Sequence, residues 1–309
     1  NYVTTSNNRL SSDGEFEYEY DAVGNQVSKT SIADGGKLQF EYDHRNRLIS
    51  VTGRTTQGSV NSIVQFKYDV MNRRIESNVN GTLTSTLYNG DQVWADADAN
   101  DKIFARYLMG NGIDEMLARH RLDEGTIWYL TDRQGTVRQL MDSLGAVVHR
   151  VELDSFGRVI SQSESNLEDR FLFLGREYVP ELKTYHFRAR EFDPQIGRFL
   201  SEDPLGLVGE DANLYRYAYN SPTNLSDPTG MLSGLAEAAA VWNAANTVIG
   251  APVNGALRGL ICSGDPNPPP NPNETVTDNT IDYLAENVFK FRKQVIQLSR
   301  CVEAFLKAK

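Results

Sequence analysis

Carboxylates at a fixed spacing are the residues of this chain most able to do chemistry. Asp stands three positions ahead of Gly or Asn at Asp21, Asp43, Asp69, Asp132, Asp142, Asp154, Asp203 and Asp227, and four ahead of Gly at Asp193. Such an aspartate has two uses. It can cap a type I turn, accepting a backbone N–H two residues on while the fourth residue turns left-handed. Two brought together can instead leave one carboxyl protonated while the other activates water. Spacing alone favours the turn, which is the commoner role of Asp. The other reactive side chains form no constellation. His44, His120, His149 and His186 are widely separated, with no Glu-x-x-His companion, and read as turn or packing residues. Cys262 and Cys301 lie in the last quarter without a Cys-x-x-Cys spacing, so neither a metal site nor a cofactor is expected. Asn80-Gly-Thr82, Asn224-Leu-Ser226 and Asn273-Glu-Thr275 fit the glycosylation pattern, which matters mainly for a eukaryotic source.

The segments ahead of these turns read as strands. Phe16-Glu-Tyr18-Glu-Tyr20, Leu38-Gln-Phe40-Glu-Tyr42 and Ile63-Val-Gln-Phe66-Lys-Tyr68 mostly alternate large apolar with polar residues. Further hairpin signals stand at Asn80-Gly81, Asn89-Gly90 and Asn111-Gly112. Residues 1–170 therefore read as consecutive hairpins. Residues 171–231 stay aromatic and strand-rich but carry the steps Asp193-Pro, Asp203-Pro and Asp227-Pro, each expected to end a strand or sit at an edge. The 14 tyrosines suit packing along a sheet ladder better than a sugar-binding surface.

Beyond Gly230 the character changes. Residues 232–249 are Ala-rich with apolar side chains at helical spacing, Pro252 is placed to start a second short helix, and 265–273 read as a stiff proline linker. Ile281, Leu284, Val288, Phe291, Val295, Leu298, Val302 and Phe305 then alternate three and four apart, predicting a helix over 280–306. Cys262 and Cys301 flank the linker and would close a loop in an oxidising compartment, two separate buried thiols being the equal alternative. The region after Met231 holds 7 basic and 7 acidic residues, and the whole chain carries −10. That balance disfavours nucleic acid as a partner, which needs a concentrated basic face. No run of about 18 apolar residues is present, so no single helix is expected to span a bilayer. The chain starts at Asn1 shortly before a repeat and reads as the C-terminal piece of something longer.

The Tyr-Asp turns at Tyr20-Asp21, Tyr42-Asp43 and Tyr68-Asp69 resemble the YD repeats of bacterial Rhs proteins, toxin-complex C components, wall-associated proteins and animal teneurins. Tyr129 to Arg138 resembles the entry to the Rhs-associated core, and Gly175 to Gly230 the core itself, including Arg188-Ala-Arg190-Glu-Phe192-Asp193 and Asn213-Leu-Tyr215-Arg-Tyr217-Ala-Tyr219. The resemblance implies a mainly β fold: a YD-repeat hairpin sheet forming part of a shell, followed by a short α-helical C-terminal tail. It divides the chain into 1–170 repeats, 171–231 core and 232–309 variable region. It further implies an aspartic self-processing site, with Asp203 and Asp227 as the carboxylates, Arg190 as their charge partner and Met231-Leu232 as the bond cut, Met231 replacing the family's usual Leu. The activity would be that of a single-turnover autoprotease in a secreted or cell-surface protein. Its partners would be its own C-terminal segment, secretion or toxin-complex subunits, and cell-surface carbohydrate. Two rivals remain at this level: a non-enzymatic adhesion or carbohydrate-binding module, and a tail acting on membranes through 232–262.

Overall fold

The computed structural model describes residues 2–163, 169–209 and 211–231. Leu232, the helices expected over 232–249 and 280–306, the proline linker and the Cys262–Cys301 pair lie outside the described residues. Within them the chain is a meander. Sixteen antiparallel strands, from β1 (Val3–Thr4) to β16 (Val159–Gln162), pair strictly in sequence order, and a second sheet of four short strands follows.

The hairpins are built as the turn chemistry dictates. β3 (Phe16–Tyr20) and β4 (Gln26–Ser31) are joined through Asp21, whose Oδ1 accepts the N–H groups of Val23 (3.0 Å) and Asn25 (2.8 Å), while Gly24 sits at φ +88°. Asp43, joining β5 (Lys37–Tyr42) to β6 (Leu48–Arg54), and Asp69, joining β7 (Val60–Tyr68) to β8 (Arg74–Val79), repeat this arrangement with Asn46 and Asn72 left-handed. Each is a type I turn followed by a bulge, and the register slips at the Tyr just ahead of the Asp. Asp98-Ala-Asn-Asp101 forms the same turn, with Asp101 at φ +60°, although its fourth residue is neither Gly nor Asn.

The tyrosines pin one repeat to the next. The hydroxyls of Tyr42, Tyr68 and Tyr88 donate to the carbonyls of Gln26 (3.1 Å), Leu48 (2.8 Å) and Arg74 (2.9 Å), the first residues of β4, β6 and β8. Arg47 and Arg73 cover the faces of Tyr68 and Tyr88 at 4.9 and 5.0 Å. These rings are spent on the ladder. Asn80 and Gly81 are both left-handed, as a two-residue hairpin requires, whereas at the next turn Gln92 pairs with Asn89, which makes Gly90 and Asp91 the loop. Asn111-Gly112 is not a two-residue turn. Gly110 N–H reaches Glu115 O at 2.7 Å, and the Glu115 carboxylate folds back onto the Gly112 N–H at 2.8 Å, so the loop is widened around that side chain.

After the wall comes a plug. β17 (Glu177–Val179), β18 (Thr184–Phe187), β19 (Arg190–Asp193) and β20 (Arg198–Phe199) place Phe187, Phe192 and Phe199 in one aromatic cluster with Phe173, Tyr185 and Tyr217, against Val151 and Leu153 of the wall. Val179, Leu182 and Leu200 of the plug pack on Phe40, Val51, Val64 and Phe66. The contacts run the length of the meander. Leu200 O accepts Gln26 N–H (2.8 Å), Leu172 O accepts Val137 N–H (3.0 Å), and Tyr185 donates to Gly157 O (2.7 Å). Buried ion pairs add to this apolar contact: Lys29 with Asp193 at 2.8 Å, Arg74 with Glu191, and Arg170 with Asp96 at 3.0 Å. Among the described residues no helix is long and apolar enough to cross a membrane, and no group of three or more His, Cys, Asp or Glu could hold a metal ion.

Candidate self-processing site

Asp203 and Asp227 are both turn formers, and the turn uses only half of each carboxylate. Asp203 Oδ1 accepts Leu205 N–H at 2.9 Å, and Asp227 Oδ1 accepts Met231 N–H at 3.1 Å. The difference lies in Oδ2. In three of the repeat turns this oxygen is held by the Arg four residues on, at 2.7 Å for Asp43–Arg47, 2.7 Å for Asp69–Arg73 and 3.0 Å for Asp154–Arg158. Four residues after Asp203 and Asp227 stand Leu207 and Met231, which offer no cation. The Oδ2 atoms of both aspartates turn instead to Arg190.

Arg190 begins β19, and its guanidinium is 2% exposed. Its Nη2 lies 2.8 Å from Asp203 Oδ2 and 3.2 Å from Asp227 Oδ2, carboxylates 10% and 1% exposed. Nη1 donates to Leu214 O at 3.0 Å and Nε to Gly230 O, and the Phe199 ring lies 3.6 Å from the guanidinium carbon. A planar fork with five donors suits this task in a way Lys does not. The structure thus brings together the three residues singled out from the sequence and ties them to the peptide that precedes Met231. Gly230 O is on Arg190 and Met231 N–H on Asp227, so the Gly230–Met231 peptide is gripped at both ends.

The electrostatics separate the groups. Burial raises the Asp203 carboxyl above its ordinary range, with the Asp227 charge adding, while Arg190 and the Leu205 amide pull it back. Burial lowers the Arg190 guanidinium against the opposing pull of both carboxylates. Burial and the neighbouring Asp227 raise the Tyr217 phenol, which stays neutral.

Sequence reading missed the groups that hold the Asp227 turn from behind. Arg176 and Arg188 both donate to Pro228 O, and both bind Asp114 of the wall. The missing i+4 cation after Asp203 and Asp227 was visible in the sequence, but the turns at Asp21, Asp132, Asp142 and Asp193 lack one too, so it does not single out this pair.

A long meander of Asp-closed hairpins, with a core-like segment packed across its length, defines a β-shell segment with its plug. The chain belongs to the teneurin YD-shell family, whose sequence model matches residues 4–223 and so stops short of Asp227 and Met231. It is 29% identical over 230 residues to the tRNA nuclease WapA of Bacillus subtilis strain 168, covering 72% of this chain and 9% of WapA. Toxin protein Tse5 of Pseudomonas aeruginosa is 28% identical over 249 residues, 70% of this chain and 19% of Tse5. The Tc holotoxin pore of Photorhabdus luminescens contains a similar fold, with a TM-score of 0.53 at 17% identity, covering 71% of this chain and 13% of the other. The chain thus spans only a small part of the length of these relatives.

Proposed function

We propose that this YD-shell segment cuts its own chain once, between Met231 and Leu232, freeing residues 232–309 from the wall and plug. The observation that carries this reading is the convergence of two turn aspartates, each without a local cation, on one buried Arg190 that also holds the Gly230 carbonyl. In the reaction water adds to the Met231 carbonyl carbon and gives a proton to Asp227. Asp203, whose carboxyl burial favours in the protonated form, gives its proton to the Leu232 nitrogen as the C–N bond breaks. The products are a carboxylate at Met231 and an amine at Leu232. Arg190 offsets the charge that moves between the two carboxylates, and the gripped Gly230–Met231 peptide fixes the neighbouring bond.

The parent protein on this reading is secreted or surface-bound. Its wall encloses the 232–309 segment, and toxin-complex-type subunits are its partners. Relatives named as a nuclease and as a toxin support a carrier role for the shell. The adhesive alternative has less support, because the repeat tyrosines Tyr42, Tyr68 and Tyr88 direct their hydroxyls to backbone carbonyls. Intact-mass measurement on freshly purified chain, incubated from mildly acidic to neutral pH, should show a fragment ending at Met231. Asp203→Asn and Asp227→Asn should each stay whole. A wild-type chain that remains uncut, or an Asp203→Asn chain that cuts normally, would overturn the assignment.

A further inference from the structure

We propose that Asp114, on the wall, is a positioning residue for the cut: it holds Arg176 and Arg188 on the Pro228 carbonyl and so seats the Asp227 turn against Arg190. This rests on the self-cleavage reading. Asp114 lies in the widened loop between β11 (Ile103–Met109) and β12 (Met116–Arg121), and its carboxylate reaches residues far along the chain. Its Oδ1 is 2.7 Å from Arg188 Nη2 and its Oδ2 2.7 Å from Arg176 Nη2. Both guanidiniums then donate to the same carbonyl, Pro228 O. Pro228 directly follows Asp227, and Thr229 O accepts the Ala189 N–H at 3.3 Å. The turn is therefore pinned from the wall side by the two arginines and from the plug side by Arg190.

Asp114 is needed because two cations converge. Burial, with the adjacent Arg188 adding, pushes Arg176 down to about 10, while Asp114 is the first counterweight. Without that carboxylate one guanidinium must leave, and Pro228 O loses a donor. The approach is also close. A Cβ on Gly175 would fall 2.4 Å from Asp114 O, and Gly175 has φ +67°, so the wall loop is seated directly on the plug backbone. Self-cleavage on this geometry is conditional on the β11–β12 hairpin being in place, which makes the cut a report that the wall has assembled.

The test uses the full chain and two readouts. Asp114→Ala should lengthen the half-time of self-cleavage several-fold. In the uncut Asp203→Asn background it should also speed deuterium uptake in residues 226–231 while leaving 125–162 as in wild type. Asp114→Glu, which keeps the charge, should restore both towards wild type. Unchanged uptake at 226–231 would overturn the proposal, and so would uptake rising equally along the wall or a failure of Asp114→Glu to restore it. A wild-type chain that never cuts would remove the self-cleavage reading, while the exchange measurement would still decide whether Asp114 holds the turn.

Discussion

Lys29 Nζ lies 2.8 Å from Asp193 Oδ2, with both side chains all but removed from water and the cation 4.6 Å from the centre of the Phe16 ring. One partner belongs to β4 of the wall and the other ends β19 of the plug. Asp193 Oδ1 meanwhile caps its own turn through Gln195 N–H at 2.8 Å. The pair shows how this molecule uses its aspartates: one oxygen makes the local turn and the other makes the tertiary contact.

Breaking that pair on one side should be costly. Lys29→Met leaves a buried carboxylate without its cation and is expected to lower stability by about 3–5 kcal/mol. Joining it with Asp193→Asn should recover most of the loss, since the amide keeps the cap on Gln195 N–H and leaves no buried charge. Urea denaturation midpoints of the two variants check this, and equal losses in both would contradict it.

The site can be switched off from an exposed position. Leu207 is 74% exposed and stands four residues after Asp203, the offset at which Arg47, Arg73 and Arg158 follow their turn aspartates. Leu207→Arg should supply Asp203 Oδ2 with a local guanidinium, draw it from Arg190 and slow self-cleavage several-fold. The melting temperature should fall as well, because the buried Arg190 guanidinium loses one of its two carboxylates. Mass spectrometry over time, beside thermal unfolding, gives both numbers.

Cleavage should be faster in mild acid than at neutral pH. The folded Asp203 carboxyl titrates above its usual 3.8 because of burial, so the fraction able to donate a proton declines as pH rises through that raised value. The rate constant measured across this range should decline in step. A rate that climbs with pH instead would mean that Asp203 is not the acid.

Stability should carry the opposite dependence through His186. Burial, with Arg74, lowers its pKa below 6.5 despite Glu191 2.7 Å away, so the unfolded chain binds the proton more readily than the folded one. The contribution is complete above the unfolded value and is lost as pH falls from about 6.5 towards the folded pKa. His186→Gln should flatten the fall of the urea midpoint between neutral and mildly acidic pH.

Gly230 tolerates no side chain. A Cβ there would stand 2.2 Å from Phe187 O, on a backbone at φ +69°. Gly230→Ala should cost at least the roughly 1–3 kcal/mol of a strained non-glycine residue, and should displace the Met231 N–H from Asp227. Loss of cleavage together with a lowered melting temperature is the expected result.

Much of the wall was legible because its logic is local. Alternation in Phe16 to Tyr20 and the spacing from Asp21 to Gly24 specify a hairpin without reference to anything distant. Asp98-Ala-Asn-Asp101 escaped because Asp can adopt the left-handed position that Gly and Asn usually fill. Asn111-Gly112 misled because the side chain of Glu115, three residues on, widens the loop. The plug's contacts were not legible in this way. Nothing near Arg190 in sequence announces Gly230 as its partner, and the partnership of Asp114 with Arg176 and Arg188 joins residues more than 60 positions apart. For the Asp203 and Asp227 site, family resemblance supplied the residues; the lack of an i+4 cation leaves their Oδ2 atoms to Arg190 but is shared with Asp21, Asp132, Asp142 and Asp193 and does not mark the pair.

The tyrosine ladder makes the wall countable. Three successive repeats each carry their own turn and their own fastening to the repeat before, from Tyr42 to Gln26, Tyr68 to Leu48 and Tyr88 to Arg74. Removing one whole unit, such as 43–68, would bring Tyr42 to the position of Tyr68 and keep the tyrosine fastening, at the loss of the Val51, Val64 and Phe66 contacts with Val179, Leu182 and Leu200 of the plug. The perimeter of such a wall is set by copy number, changing by about 9–10 Å for each two-stranded unit gained or lost. Duplication can therefore lengthen the wall by whole steps that each bring their own turn and fastening, while the plug contacts that run along it must be remade.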